Sequence, residues 1–272
     1  MWLAENGVVI LAQGVVETTR LALQTFQTSL SWRAAQRMGK NLMVHLRSNL
    51  TIRVPRSSID NLPLTPRFMQ VSALFVKGKA KVGTRDRYVH LQITASGLTA
   101  TGADSEAELV KKIPDLDNIE NLKRSDDTTV VITIRGIGEM SPHNADSSVT
   151  IPGQGQDFNR PRAVVNVGDA KAYAEAIAAG QTPPNVSAET KQDAELWDKM
   201  DQLADEVALI FGNGKVFEIL AANGSVIPVA AGTSAAQLKN SASLRQATGR
   251  GGYHTSRIWN DVDGRQRYNV GH

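Results

Sequence analysis

The 272-residue chain contains no cysteine. That excludes disulfides, thiolate metal sites and a cysteine nucleophile, and it is compatible with a cytoplasmic location. Aromatic residues make up only 5%, too few for the stacking platforms that hold single-stranded nucleic acid. Long apolar runs are missing as well. Runs such as Val8–Ala12, five residues, fall far short of the ~20 residues that span a bilayer. Val8–Ala12 follows Glu5 without a positively charged n-region, so it does not read as a signal peptide. No G-x-G-x-x-G, Walker A loop or G-x-S-x-G elbow occurs; Gly136-x-Gly138, Gly153-x-Gly155, Gly212-x-Gly214 and Gly249-x-Gly251 all lack the third glycine. Histidines and carboxylates nowhere reach a metal-ligand count, and His143 with Asp146 is only a pair. No metal and no membrane partner are expected.

What remains is the composition of an ordinary globular protein, 41% hydrophobic and 21% charged. The length suffices for one sizeable core. Formal net charge is +3, unevenly spread: residues 239–272 hold six Lys/Arg against two Asp, a local +4, which leaves −1 for residues 1–238. A second basic stretch, residues 31–58, carries Arg33, Arg37, Lys40, Arg47, Arg53 and Arg56 and no acid. A solvated surface or an anionic cofactor explains these patches as well as nucleic acid does. No motif of the known nucleic-acid readers accompanies them, so such a partner is not expected.

The opening is the most informative segment. The run Val8–Ala12 has strand length, meets Gly14, and gives way at once to Val16, Thr19, Leu23, Phe26 and Leu30 at helical spacing. A buried strand turning into a helix brings backbone N–H groups above a sheet edge, as in many nucleotide sites, although a glycine at an ordinary tight turn produces the same pattern. Alternation then predicts four strands: Leu50–Val54, Gln70–Val76, Tyr88–Ala95 and Thr128–Ile134. One polar face on each implies a mainly antiparallel sheet with its apolar face covered. Asp104–Lys112 reads as a short helix, and Ile113–Asp127 as acidic surface. Pro142–Arg162 reads as a long loop with a short strand near Val149–Ile151. Residues 189–211 form the clearest helix, with a stripe of Leu196, Met200, Leu203, Val207 and Ile210, a start at Pro183-Pro184 and Ser187, and a stop at Gly212-Asn-Gly214. It is expected to cover the sheet. From Ala230 the chain turns Gly-, Ser- and Arg-rich with isolated aromatics, and both ends read as cut.

Several of these pieces together resemble the glucose–methanol–choline (GMC) flavin oxidoreductases. Val8–Gly14 running into Thr18, Thr19 and Leu21 is similar to the family's strand, glycine and G-x-x-x-[ST]-x-x-L helix beside the flavin. Met38-Gly-Lys-Asn-Leu-Met-Val-His45 is similar to its G-x-N-L-x-D-H segment, with Val44 in place of the acid. Glu139-Met-Ser and Ser148-Val-Thr-Ile resemble the substrate domain's S-x-V-x-L region. Trp197-Asp-x-Met-Asp201 fits its long helix. Gly252-Tyr-His254 resembles the histidine that opens H-x-x-G-T, with Thr255 and Ser256 departing from the pattern. The pieces come in family order.

The resemblance implies an α+β fold: a large, mainly antiparallel sheet under helices, with a remnant of a Rossmann-like FAD-binding domain at the start. It divides the chain into that remnant at 1–30, a substrate domain at 31–229, and a return segment at 230–272, with the dinucleotide fingerprint lying before Met1. It further implies FAD as cofactor, contacted by Ala12, Gln13 and Gly14, and a small alcohol or sugar-like CH–OH donor as substrate. His254 would be the catalytic base, taking the hydroxyl proton as hydride moves to the flavin; an imidazole suits that task. His45 is expected to be structural, and His90 an ordinary residue of a strand's polar face. The alternative is a non-enzymatic β-rich interaction domain, or an inactive fragment, derived from such an enzyme.

Overall fold

The computed structural model describes residues 7–8, 10–26, 37–60, 70–97, 124, 126, 128–151, 162–221, 225–240, 258–260 and 266–268. The helix expected over Asp104–Lys112, most of the acidic stretch after it, and His254 lie outside the described residues.

Alternating apolar and polar residues carry four long strands into one sheet. These are β1 (His45–Pro55), β2 (Gln70–Val82), β3 (Arg85–Gly97) and β4 (Thr129–Glu139), joined by β7 (Phe217–Leu220) and β8 (Val226–Val229). The order is β2-β3-β4-β1-β7-β8, and every pairing is antiparallel. β5 (Ser148–Thr150) and β6 (Val164–Asn166) form a separate two-stranded ladder. The antiparallel sheet expected from the alternation is therefore present, with strands longer at their ends than the alternation alone predicts.

Each central strand puts its apolar half on one side: Leu46, Leu50, Ile52 and Val54 from β1, Val89, Leu91 and Ile93 from β3, Val130, Ile132 and Ile134 from β4. Fully burying each such side chain contributes roughly 1.5–3 kcal/mol. The cover is helix α3 (Ala188–Gly212), with α2 (Ala170–Ala178) beside it. Capping sets both ends of α3. The Ser187 hydroxyl accepts from the Thr190 N–H at 3.1 Å, and Asn213 closes the helix in the left-handed region at φ 49°.

Helix α3 buries the first part of the stripe that hydrophobicity suggests and turns its last member to solvent. Leu196, Trp197, Met200, Ala204 and Ala208 are buried, whereas Leu203 and Val207 are half-buried and Ile210 is 73% exposed. Its approach to β4 is close. A Cβ on Gly138 would stand 3.0 Å from Met200 Sδ and 3.1 Å from a Leu196 methyl, and one on Gly136 3.1 Å from Met200 Cβ. Further along the helix Ala204, Ala208 and Gly212 are buried too, and a Cβ on Gly212 would stand 2.7 Å from the Phe217 ring of β7.

The opening strand also departs from expectation. Residues 7, 8 and 10–13 are in no strand, and Val8 and Ile10 are 81% and 84% exposed. A strand persists only where a neighbour takes its N–H and C=O groups, and none of the described strands runs beside it. Helix α1 (Gly14–Phe26) does begin at the predicted glycine, yet a Rossmann-like remnant is not part of the described fold. The tail is less featureless than its composition suggests: α4 (Ala235–Asn240) leads to a ladder of β9 (Ile258–Asn260) with β10 (Gln266–Tyr268).

Gly138→Ala is expected to destabilise the protein by about 1–3 kcal/mol through overpacking against Met200. In a Met200→Ala background, where the sulfur is gone and the Leu196 side chain has room to shift, the same change should cost less. Chemical denaturation of the four-member cycle reads the coupling; additive costs would rule out the close approach.

Candidate functional site

With α3 on one face, the opposite face of the sheet holds the polar residues of all four long strands. Register aligns them in rows. Thr51, Thr133 and Thr94 form one row, Asn49, Arg135, Gln92 and Phe75 the next, and Arg47, Ile137, His90 and Lys77 the one beyond. The inner rows are deeply placed: Thr51, Thr133 and Arg135 are only 6%, 1% and 7% exposed. Their polar groups meet one another. Arg135 Nε donates to Asn49 Oδ1 at 3.0 Å, and the two threonine hydroxyls lie 3.3 Å apart. Arg53 closes the face towards β7 by donating to Glu218 at 2.6 Å.

At the far end, where β1 starts and β4 ends, the face opens into a recess of about 410 Å3 lined by His45, Lys77, Tyr88, His90, Ile137 and Glu139, with backbone at Val89 and Gly138. A second recess of about 250 Å3 shares His45 and Glu139 and adds Met43 and Val44. His45 and Glu139 are cross-strand partners. Lys77 and Lys79 hold their ammonium groups 5.0 and 5.4 Å from the centre of the Tyr88 ring, and Phe75 stacks obliquely on His90 at 5.6 Å. The face carries Lys77, Lys79, Lys81, Arg47, Arg53 and Arg135 against Asp86, Glu139 and Glu218, an excess of positive charge.

Segments far apart in sequence build this corner. The Gly39 carbonyl accepts from the Val149 N–H at 2.6 Å, Lys40 bridges to Ser148, and the Leu42 N–H reaches the Ser147 carbonyl at 3.2 Å. Gly39 has φ 73°, and a Cβ there would collide with the Val149 carbonyl, so only glycine fits. Helix α3 fastens on from above. The Trp197 indole donates to the Arg47 carbonyl at 3.0 Å, and the Ser48 hydroxyl bonds the Asp201 carboxylate.

Behind the recess, the loop 141–147 is held to the start of α3 by a buried polar network. Asp193 is fully buried and accepts from the Ser141 N–H at 2.6 Å and the Asn144 amide at 3.1 Å, with an Arg87 guanidinium nitrogen 3.7 Å away. Burial pushes the Asp193 carboxyl above its ordinary value, against these hydrogen bonds and the charge of Arg87. Asp146 accepts from the Thr190 hydroxyl and the Ser187 N–H, each at 2.7 Å. Burial raises its pKa too, yet the bonds from Thr190 and Ser187 outweigh that and hold it below the usual value.

The structure thus brings together His45 and His90, which the sequence treats separately, and adds Lys77, Tyr88 and Glu139. The signal for these lies in the alternation, but only the register shows that they meet. Ala12, Gln13 and Gly14 are exposed at the start of α1. His143 is exposed at φ 66°, and the Asp146 carboxylate beside it in sequence is engaged at α3. Among the described residues, no group of three His, Asp or Glu could hold a metal ion, and no helix is long and apolar enough to cross a membrane.

Opposite shifts at Asp193 and Asp146 give a pH test. A raised pKa favours the folded state below the unfolded value of about 3.9 and loses that contribution as pH rises through the folded value; a lowered one does the reverse, contributing above that point and fading as pH falls. Asp193→Asn should therefore gain stability relative to the parent protein as pH rises above about 4, read from urea midpoints between pH 4 and 7. A difference that stays constant across that range counts against the burial effect.

No family model, curated protein or solved structure matches this chain.

Proposed function

We propose that the chain is the substrate-domain portion of a GMC-type, FAD-dependent oxidoreductase acting on the CH–OH group of an alcohol or sugar-like donor. The observation that carries this reading is convergence. The segments of the resemblance at 38–45, 139–151 and 197–201 are separated by up to about 150 residues, yet they join at one corner of the sheet through Val149 N–H to Gly39 carbonyl, Trp197 to Arg47, and the shared recess at His45 and Glu139.

On this reading the polar face is the wall against which the donor lies. Its inner rows are hydrogen-bonded pairs, and its open end offers imidazole, phenol, ammonium and carboxylate groups to donor hydroxyls. When bound, FAD would accept the hydride. Ala12, Gln13 and Gly14 would hold it by backbone approach: Gly14 has φ 80° and is exposed, and nothing lies within 4 Å of where a Cβ would stand. His254 would take the hydroxyl proton.

A second reading, a non-enzymatic β-rich interaction domain, draws on β2. This strand ends the sheet and exposes Leu74, Phe75 and Val76 by 54%, 59% and 41%.

Flavin fluorescence separates the two. Adding the chain to FAD is expected to give a saturable quench, too weak to survive gel filtration and abolished by Gly14→Val. Absence of a quench, or one that the variant leaves unchanged, would favour the interaction domain.

A further inference from the structure

We propose that the recess at His45 binds a small hydroxylated carboxylate, a sugar acid or hydroxy acid, with Lys77 holding the carboxylate and Glu139, Tyr88 and the imidazoles taking the hydroxyls. As a statement about the substrate, this rests on the reading of the polar face as the donor wall. As a statement about binding, it stands by itself.

Size sets the first limit. About 410 Å3 lies within the range of small-molecule sites and suits a molecule of monosaccharide dimensions. Charge sets the second. The ammonium of Lys77 belongs to β2, with that of Lys79 over the same Tyr88 ring. The carboxylate of Glu139 belongs to β4, and His45 to β1. Two strand spacings, about 10 Å, separate β2 from β4, so the recess is positive at one end and hydrogen-bond accepting at the other. A ligand that matches it carries its anionic group at one end and O–H donors along the rest.

The lining chemistry narrows the anion. Phosphate sites draw on guanidinium forks, helix N-termini or successive backbone N–H groups. Among the described residues, none that lines this recess is an arginine, and no helix contributes to it. Lys77 brings the one ammonium among the lining residues, with Lys79 at the same Tyr88 ring, and an ammonium is a point charge that a monoanionic carboxylate satisfies. Glu139 excludes a polyanion from the far end by repulsion and serves an uncharged hydroxyl as acceptor.

Isothermal titration of the full chain, with no flavin present, tests this with D-gluconate, D-glucitol (the same carbon skeleton without the charge) and inorganic phosphate. Gluconate is expected to bind at least about tenfold more tightly than glucitol, the effect of one charge-assisted contact. Lys77→Gln should bring gluconate to the glucitol level and leave glucitol unchanged. Lys77 is exposed, so the variant is expected to fold. Lys171→Gln, on α2, should change neither. Equal affinity for gluconate and glucitol, no binding of either, phosphate binding as tightly as gluconate, or indifference to Lys77→Gln would each overturn the proposal. The flavin quench can fail while gluconate binds, and gluconate can fail to bind while the quench is present, so the two readings fall separately.

Discussion

The close seating of α3 on β4 is the constraint from which the rest of the molecule follows. Gly136 and Gly138 leave the strand bare beneath Met200 and Leu196, and at the other end of the helix Gly212 leaves room for the Phe217 ring of β7. Side chains at these positions would lift the helix, part the sulfur and methyl groups from the strand, and forfeit the dense contact that makes a core stable. The approach also brings α3 within reach of the β1 backbone, so Trp197 can bond the Arg47 carbonyl and Asp201 the Ser48 hydroxyl. Two polar contacts within an apolar interface fix the rotation and register of the helix, which apolar packing alone would leave loosely defined.

Committing one face of the sheet to α3 determines what the other face can be. The residues between the buried positions must point away from the helix, and on the four long strands they are Thr, Asn, Gln, Arg, His and Lys far more often than apolar. The start of α3 then anchors the site from behind. Asp193 and Thr190 reach back to Ser141, Asn144 and Asp146, so the chain leaving β4 at Glu139 is tied to a capped helix. Without that network the end of β4 would be an ordinary fraying strand, and the recess it borders would have no fixed shape.

Much of this was legible in the sequence because its cause is periodicity. Alternation located four strands, and the cap residues Ser187 and Asn213 marked both ends of α3. Helix α2 carries an equally plain sign, Asp169 ahead of an alanine-rich segment, its carboxylate accepting from the Ala172 N–H at 2.8 Å. Of the stripe on α3, Leu196 and Met200 are buried, Leu203 and Val207 pack half-buried against the core, and Ile210 faces solvent; hydrophobicity gives little weight to Ala204 and Ala208, which are buried as well. β7 and β8 are four residues each, with Pro228 on the edge strand; a pattern so short carries little period. The opening run showed apolar composition, and none of the described strands lies beside it to make it a strand. At the site, His45 and His90 each read as a residue of some strand, and their meeting depends on which strands pair and in what register, information spread over the whole fold.

The position of the recess within the polar face has a physical reason as well. In the inner rows, donors and acceptors on adjacent strands satisfy one another: Arg135 with Asn49, Thr51 with Thr133. Such pairs stabilise a buried polar surface and leave little for a ligand to bond. The two outer rows are different. His45 faces Glu139 across β1 and β4, Lys77 and Tyr88 meet only through a cation–ring contact, and all four border open volume. A ring face competes weakly for an ammonium against a carboxylate, so Lys77 is held in place without being used up. A polar group positioned by the fold yet left with bonding capacity is what a binding site requires, and on this sheet the change from paired to available groups falls between the Arg135 row and the end of β4.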